Sequence, residues 1–424
     1  MTNTINSKNN TNILLQFAIF LFLLNSLFKY FMPSMITKAL PVISLFLVLL
    51  SCQNKIIYLM KRIHILYICF GFIWFIGCIY STSFQKAFGY VSSFFLSLLF
   101  AMMIATQIID IERIVYFLGT ICFVFSFLVI LQPIIPQLID RIVSFLPYTY
   151  DQKYEMNYWS TRLGMYSGIF PDRAATAFYS CILIGCGIFI LFKHNKKLIS
   201  NFKKIVGAAF LVVGVLSLLM TAKRGHLVAA AIALLFVYIT FKKAHHKSIA
   251  KIVIASVILV SAAFFIVTNL DAAKLMIERF TDNDNFYTNR LDIYGNIYNQ
   301  IEEHILLGTG TASAYDILGI GGHNIYLTVF MENGIFGFIL IIVCVLCSMI
   351  YTGQVIYHQS KQNQYECLPN LLFALFIQIF FVIYGFSGNP LYDNYIFYIY
   401  IFSIAITQNS EIMSAKKHLT GGAT

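Results

Sequence analysis

Charged residues are scarce in this chain of 424 residues. Asp, Glu, Lys and Arg together make up 11% of the sequence, while hydrophobic residues make up 59%. An ordinary soluble domain carries about 25% charged and about 45–50% apolar residues. The scarcity of charge therefore excludes a soluble globular protein, and it predicts an all-α integral membrane protein.

Several chemical signatures are also missing. The sequence has no Walker loop, no Gly-x-Gly-x-x-Gly after a strand, no His-Glu-x-x-His and no Cys/His cluster with zinc spacing. The cysteines lie in or near apolar runs and none falls in a long polar loop, so no disulfide framework is expected. These absences argue against a primary pump and a zinc enzyme, and we expect neither a metal nor an organic cofactor.

Long apolar runs are what the chain has instead. About twelve of them are long enough to cross roughly 30 Å of hydrocarbon as helices. We therefore predict a single polytopic membrane domain over residues 1–424 with about twelve transmembrane helices. The runs lie near residues 12–31, 36–51, 64–81, 88–108, 114–134, 174–192, 205–220, 226–241, 249–268, 325–352, 368–387 and 392–408.

The distribution of Lys and Arg predicts the orientation in the membrane, because basic residues collect in cytoplasmic loops. With the N-terminus in the cytoplasm, most of the 29 Lys and Arg residues fall in cytoplasmic loops. Both termini are then cytoplasmic, and two long segments lie outside, at residues 135–173 and 269–323. Topology thus explains the formal net charge of +11, and no nucleic acid partner is expected.

The second external segment, residues 269–323, is polar, charged and aromatic. Apolar residues recur within it at steps of three and four, which predicts an amphipathic helix at about residues 290–306 on the outer membrane surface. Arg290 lies at the start of this helix, where a cation opposes the helix dipole. Such an arginine either binds an anion, such as a lipid phosphate, or is an ordinary solvated residue.

Two adjacent cations, Lys223 and Arg224, lie in a short turn at residues 221–225 between two predicted spans. The turn falls on the outer side of the membrane, where the positive-inside tendency disfavours basic residues. An anionic ligand would explain them, since Arg binds phosphate oxygens in a bidentate manner. Anchoring to lipid headgroups is the alternative.

A histidine and an acid follow where the second external segment re-enters the membrane. His323 comes after Gly321 and Gly322, which let the backbone approach a ligand. With a pKa of about 6.5, a histidine can accept a proton at neutral pH. Glu332 lies inside the next span, where a charge is costly. On a continuous helix it would face away from His323, so helix packing and catalysis both stay open for it.

These features together resemble the O-antigen polymerase and O-antigen ligase superfamily. Residues 221–225, Thr-Ala-Lys-Arg-Gly, are similar to its Thr-x-Ser-Arg-Gly turn, with Lys223 in the Ser position. The stretch from Arg290 through Leu-Leu-Gly-Thr-Gly (306–310) to His-Asn-Ile-Tyr-Leu (323–327) and Glu-Asn-Gly (332–334) is similar to its later motifs, although a customary Pro is missing before residue 306. The resemblance covers residues 165–350.

The resemblance implies a GT-C-like helical fold and a metal-independent, inverting glycosyltransferase in a bacterial cytoplasmic membrane, facing the periplasm or the exterior. The donor would be a glycan on undecaprenyl diphosphate. Arg224 and Arg290 would hold the diphosphate, and His323 would orient or deprotonate the attacking hydroxyl. A chain-length regulator and a flippase are the implied protein partners. Further candidate substrate contacts are Arg173, Lys223, Asn324, Tyr326 and Glu332.

The first external segment, residues 135–173, adds aromatic residues that could stack on sugars or form an interfacial belt. It ends at Asp172-Arg173, where the family pattern has Pro-Asn after the acid, so Arg173 is either a further phosphate or sugar contact or an ordinary loop charge. The aromatic residues are Tyr148, Tyr150, Tyr154, Tyr158 and Trp159.

Three functions stay open at this point. A polymerase would transfer a growing chain onto the next lipid-linked repeat unit, making O-antigen, capsule or exopolysaccharide. A ligase would transfer a finished chain to lipid A core. The ligase pattern often carries a second His two residues before the motif His, where this chain has Gly321, which favours a polymerase. A polysaccharide transporter or flippase would show internal repeats and midspan polar residues. The sequence shows neither feature, and its candidate cations lie in the outer loops.

Overall fold

The computed structural model describes residues 13–51, 61–193, 201–245 and 284–421, and in these ranges the regular secondary structure is helical, with no β-strand. A 3-10 turn, Lys29–Phe31, follows the first α-helix. The α-helices within these ranges are α1 Ile13–Leu27, α2 Ser34–Ser51, α3 Arg62–Ile79, α4 Phe84–Ala105, α5 Ile111–Leu131, α6 Pro136–Ser144, α7 Tyr150–Leu163, α8 Arg173–Phe192, α9 Asn201–Met220, α10 Arg224–His245, α11 Asp284–Glu303, α12 Ala314–Leu318, α13 Ile325–Lys361, α14 Leu368–Tyr384 and α15 Asn394–Gly421.

Eight helices in the described ranges are long and apolar enough to cross a membrane: α2, α3, α4, α5, α8, α9, α10 and α13. Helices α1 and α14 are apolar but shorter. The prediction of an all-α protein with many membrane-spanning helices is therefore confirmed, while the total of twelve stays a prediction. The predicted span at residues 249–268 lies outside the described residues.

Helix α8 lies at the centre of the bundle, between α5, α9 and α14. In its apolar window 89% of the residues are buried, against 22–50% in the other long apolar helices. A hydrogen bond of 2.8 Å between the hydroxyls of Ser180 and Ser217 joins α8 to α9. Small polar side chains of this kind let membrane helices approach closely and bond across their interface. The helices at the rim present their apolar side chains outward, where lipid would meet them.

The polar segments sort to the two ends of the bundle. At one end Lys61 pairs with Glu411 at 2.9 Å, and Lys203 pairs with Glu112 at 3.2 Å. The other end holds α6, α7, α11, α12 and the loop at residues 385–393 between α14 and α15. Because successive spans alternate in direction, the starts of α8, α10, α13 and α15 all lie at this second end, which we call the loop end.

Helix α13 is broken near the loop end at Gly334, which has φ 64° and ψ −167°. The break frees backbone groups that pair with the segment after α11. The N–H of Thr309 donates to the carbonyl of Met331 at 2.8 Å, and the N–H of Gly310 donates to the carbonyl of Glu332 at 2.9 Å. The segment after α11 is therefore held against α13 by main-chain hydrogen bonds.

The carboxylate of Glu332 completes this junction. Its two oxygens accept hydrogen bonds from the N–H groups of Ala312 at 2.8 Å and Ala314 at 3.0 Å. The hydroxyl of Tyr392, in the loop between α14 and α15, also donates to it. Glu332 is 1% exposed, so these three donors take the place of water at its carboxyl oxygens. It joins α13, the segment before α12 and the loop at residues 385–393.

We expect Gly334→Ala to destabilise the protein. An alanine would have to adopt a conformation that only glycine adopts readily, at a cost of about 1–3 kcal/mol, and its Cβ would collide with the carbonyl oxygen of Leu306. Gly353→Ala is the matched control, because it lies in the same helix with open space around the new methyl group. Thermal unfolding of the purified protein in detergent measures both variants. An unchanged melting temperature for Gly334→Ala would contradict a fixed break in α13.

Candidate active site

A cavity of about 920 Å³ lies at the loop end of the bundle. Its walls come from the start of α8, the turn before α10, helix α11, the segment before α13 and the loop at residues 385–393. Cations outnumber carboxylates on these walls by four to two, so the potential inside favours an anionic ligand. The charged residues that line the cavity are Asp172, Arg173, Lys223, Arg224, Arg290 and Asp393.

Asp172 and Arg173 come from the start of α8. The carboxylate of Asp172 caps this helix by accepting a hydrogen bond from the N–H of Ala174 at 2.8 Å, and it accepts another from the hydroxyl of Tyr30 at 3.2 Å. The guanidinium of Arg173 lies over the ring of Trp159, 4.7 Å from the ring centroid. A cation held in this way against an indole face has a restricted position, which fixes Arg173 at the cavity wall.

Lys223 and Arg224 come from the tight turn between α9 and α10. Ala222 has a left-handed conformation with φ 53°, and the hydroxyl of Thr221 donates to the carbonyl of Leu218 at 2.7 Å. This turn reverses the chain and starts α10 at Arg224. The first N–H groups of a helix carry partial positive charge. The N-terminus of α10 therefore adds to the attraction that Lys223 and Arg224 exert on an anion.

Helix α11 contributes Arg290 and Tyr294 to the cavity. It is held by Ile293, Ile297 and Ile301, which are buried against residues of α12 and α13. The apolar stripe predicted from the sequence was Leu291, Tyr294, Tyr298 (with Ile297 beside it), Ile301 and Ile305. Of these, Ile297 and Ile301 are buried, whereas Tyr298 and Ile305 are exposed. Tyrosine tolerates water, so it is a weak marker of a buried face. Helix α11 also begins before residue 290, so Arg290 lies in its second turn and not in the first turn as expected.

His323 lines the cavity from the segment before α13 and is exposed to it. It has a left-handed conformation with φ 52°, which turns the chain sharply before α13. Partial desolvation and then the charges of Arg290 and Lys223 lower the pKa of His323 below its ordinary value. Its imidazole is therefore neutral at neutral pH and able to accept a proton.

Three other residues predicted to contact substrate are not brought to the cavity wall. The side chain of Asn324 caps α13 by accepting hydrogen bonds from the N–H groups of Tyr326 and Leu327, at 3.0 and 3.1 Å. The hydroxyl of Tyr326 donates to the carbonyl of Val382 at 2.8 Å. Glu332 is buried in the junction described above. In this structure the side chains of Asn324, Tyr326 and Glu332 hold the elements that carry His323.

Asp393 is the main residue of the cavity that the sequence analysis missed. The pKa of Asp393 is raised to about 7, mainly by burial; the charge of Lys29 opposes this shift, Asp172 adds to it and Lys223 opposes it. Asp393 lies at the end of the loop at residues 385–393. This loop is short and has long apolar runs on both sides, so the sequence analysis did not identify it as a polar segment. Its signal in the sequence is the turn-forming Gly388-Asn389-Pro390 just before it.

The aromatic residues of the first external segment do not act as one group. Tyr148 is buried and its hydroxyl donates to the carbonyl of Ile169 at 2.8 Å. Tyr150, Tyr154 and Tyr158 recur every four residues on the exposed face of α7. None of these five residues lines the cavity. Trp159 lies behind its wall and contacts Arg173.

Comparison with known proteins bears on the middle of the chain. Residues 209–342 match the family described as O-antigen ligase. The resemblance seen in the sequence motifs is therefore confirmed over this segment, and the similarity supports a general role in polysaccharide assembly. The match contains Lys223, Arg224, Arg290 and His323, while Arg173 and Asp393 lie outside it. No curated protein matches the chain.

We expect Lys223→Gln to raise the pKa of His323, because one of the cations that lower it is removed. The pH dependence of the reaction of His323 with diethyl pyrocarbonate, followed by peptide mass spectrometry, measures the change, since only the neutral ring reacts. The half-point should lie below 6.5 in the wild type and move to higher pH in the variant. Lys86→Gln, at an exposed residue outside the cavity, is the control with the same change in charge. Equal half-points in all three proteins would contradict this electrostatic coupling.

Proposed function

We propose that the cavity is the active site of a glycosyltransferase that polymerises undecaprenyl-diphosphate-linked oligosaccharide repeat units. The observation that supports this most directly is the meeting of four cations and one neutral histidine in a single cavity. They come from parts of the chain that are far apart in sequence, and they are Arg173, Lys223, Arg224, Arg290 and His323.

The four cations suit a diphosphate that departs from a sugar. When the bond between the anomeric carbon and the phosphate oxygen breaks, its electron pair stays on the diphosphate, which gains negative charge. Fixed positive groups that face this charge lower the barrier, because they need no reorganisation during the reaction. Arg224 and Arg290 take this role, with Lys223, Arg173 and the N-terminus of α10 in support. The mechanism we propose therefore needs no metal ion.

His323 suits the other half of the reaction. A hydroxyl of the acceptor sugar attacks the anomeric carbon from the side opposite the diphosphate, so the configuration at that carbon inverts. The hydroxyl proton passes to the neutral imidazole of His323. Because the pKa of His323 is lowered, the ring then releases the proton readily to solvent, which restores the base for the next transfer.

The proposal includes an orientation and an architecture. The loop end faces the periplasm or exterior, and both termini lie in the cytoplasm of a bacterium, in its cytoplasmic membrane. The ion pairs of Lys61 and Lys203 at the opposite end agree with the positive-inside tendency. Twelve spans in a GT-C-like arrangement complete it, counting α1, α14, α15 and the apolar run at residues 249–268. A flippase that delivers the donor and a chain-length regulator are the proposed partners.

A ligase is the second candidate, and the description of the matching family favours it. A ligase would use the same donor and the same cations, and it would differ only in the acceptor, which is lipid A core. Gly321, where the ligase pattern often has a second histidine, is the reason to place the polymerase first.

The proposed function is tested in a deletion strain that is complemented with wild type, Arg224→Ala, Arg290→Ala or His323→Ala. We expect each variant to lower glycan transfer by about 100-fold or more, as when a group that stabilises a transition state is removed. Arg141→Ala, an arginine of α6 that does not line the cavity, should keep wild-type activity. Electrophoresis of lipid-linked and mature glycans, with protein levels confirmed in the membrane, measures the effect.

The products distinguish the two candidates. Single repeat units on the acceptor, without long chains, would support a polymerase. Long chains that stay on undecaprenyl diphosphate, with bare core, would support a ligase. Normal glycan from all three cavity variants would show that this cavity is not the active site.

A further inference from the structure

Gly321 lies where any side chain would displace its neighbours. A Cβ at this residue would stand 2.8 Å from Nδ2 of Asn389 and 3.0 Å from the hydroxyl of Tyr315. The first distance is shorter than real Cβ contacts, so the amide of Asn389 would have to move. The backbone of the segment that carries His323 thus passes directly against the side chains of Asn389 and Tyr315.

The main chain keeps these groups together. The N–H of Ile325, two residues after His323, donates to the carbonyls of Gly385 at 2.9 Å and Gly388 at 3.1 Å. The carbonyl of Asn389 accepts hydrogen bonds from the N–H groups of Tyr392 at 3.0 Å and Asp393 at 3.1 Å. The start of α13 and the loop at residues 385–393 are therefore one joined structure, and the position of Asn389 relative to His323 is fixed.

Asn389 lines the cavity, yet its Oδ1 has no hydrogen-bond partner among the described residues. A polar atom that is shielded from water without a partner costs free energy, and a hydrogen bond to a ligand would offset this cost. The amide can turn toward a ligand in the cavity, where it offers one acceptor and two donors. Tyr315, which also lines the cavity, adds a hydroxyl and an aromatic face.

The proposed reaction needs a binding site for the acceptor sugar, and Asn389 and Tyr315 lie where this site is required. His323 can take a proton only from a hydroxyl within about 3 Å of its ring, so the acceptor sugar must lie beside His323. In the proposed function, the diphosphate binds to the cations Arg224 and Arg290. Asn389 and Tyr315 contact the segment of His323 itself and are uncharged, which suits a sugar ring with free hydroxyls and not a phosphate.

We infer that Asn389 and Tyr315 form the subsite for the acceptor sugar, and that Gly321 keeps this subsite open by having no side chain. The ligand is a neutral, hydroxyl-bearing sugar ring, whose hydroxyl groups bond to the Asn389 amide and whose face packs on Tyr315. This inference rests on the proposed function. It adds that binding of the acceptor and binding of the donor diphosphate depend on separate residues.

Two measurements on purified protein in lipid nanodiscs test the separation. Binding of the donor lipid is read from the rise in melting temperature that undecaprenyl diphosphate alone produces. Glycan transfer is read from the products formed with lipid-linked glycan, and with lipid A core where required, extracted from a deletion strain. We expect Asn389→Ala and Gly321→Ala to lower transfer by about tenfold or more, which corresponds to the loss of one or two hydrogen bonds. Both variants should keep the wild-type response to undecaprenyl diphosphate.

Three variants complete the design. Gly295→Ala is the control for Gly321→Ala, because open space surrounds a Cβ at Gly295 in α11, and it should transfer glycan normally. Tyr315→Phe keeps the aromatic face and should lose less activity than Tyr315→Ala.

Unchanged transfer in Asn389→Ala and Gly321→Ala would overturn the acceptor subsite. Loss of the response to undecaprenyl diphosphate in the same variants would also overturn it, because the residues would then serve the donor or the fold. Arg224→Ala separates the two proposals, since it should lose both readouts. Normal transfer by Arg224→Ala would refute the proposed function itself.

Discussion

The hydrogen bonds to the buried carboxylate of Glu332 are the constraint on which the cavity depends. Backbone N–H groups near membrane depth have no water to bond with, so an irregular segment there must find its acceptors within the protein. Glu332 supplies two acceptors to the segment before α12, and the break at Gly334 exposes carbonyls that bond the residues after α11. The same carboxylate receives the hydroxyl of Tyr392. The positions of His323, Arg290 and Asp393 all follow from elements that meet at this junction.

The charged side chains at the cavity wall destabilise the free protein through electrostatic repulsion. Four cations at one end of the bundle repel one another, and the carboxylates of Asp172 and Asp393 offset only part of this repulsion. A bound diphosphate would relieve this repulsion. The charge pattern therefore lowers the stability of the free protein and raises the affinity of the cavity for an anion. Partial desolvation lowers the pKa of His323, and two of these cations, Arg290 and Lys223, lower it further. Arg290 and Lys223 thus affect both the attraction of the cavity for an anion and the basicity of His323.

The sequence predicted what local patterns encode. Apolar runs gave the membrane class and most of the helices, and short motifs gave Arg224, Arg290 and His323, which the structure brings to one cavity. The sequence did not reveal the role of Glu332, because its partners Ala312, Ala314 and Tyr392 lie up to 60 residues away in sequence. Asp393 was missed for a similar reason. Its neighbours Lys29, Asp172 and Lys223 come from three distant segments, and Asp393 itself fell inside the apolar run predicted at residues 392–408.

The burial of α14 and α15 bears on how the protein is made. These two helices are buried over almost their whole apolar length, yet the ribosome produces them after the other thirteen described helices. The last two helices of the bundle interior are therefore inserted after the helices around them, and α8 and α10 must stay in the bilayer beside lipid until α14 packs against both. Asp393, on the loop that joins α14 to α15, reaches the cavity only at that stage. A nascent chain with most of its helices already in the membrane would still lack one wall of the cavity, so the cavity is complete only when this last loop takes its place.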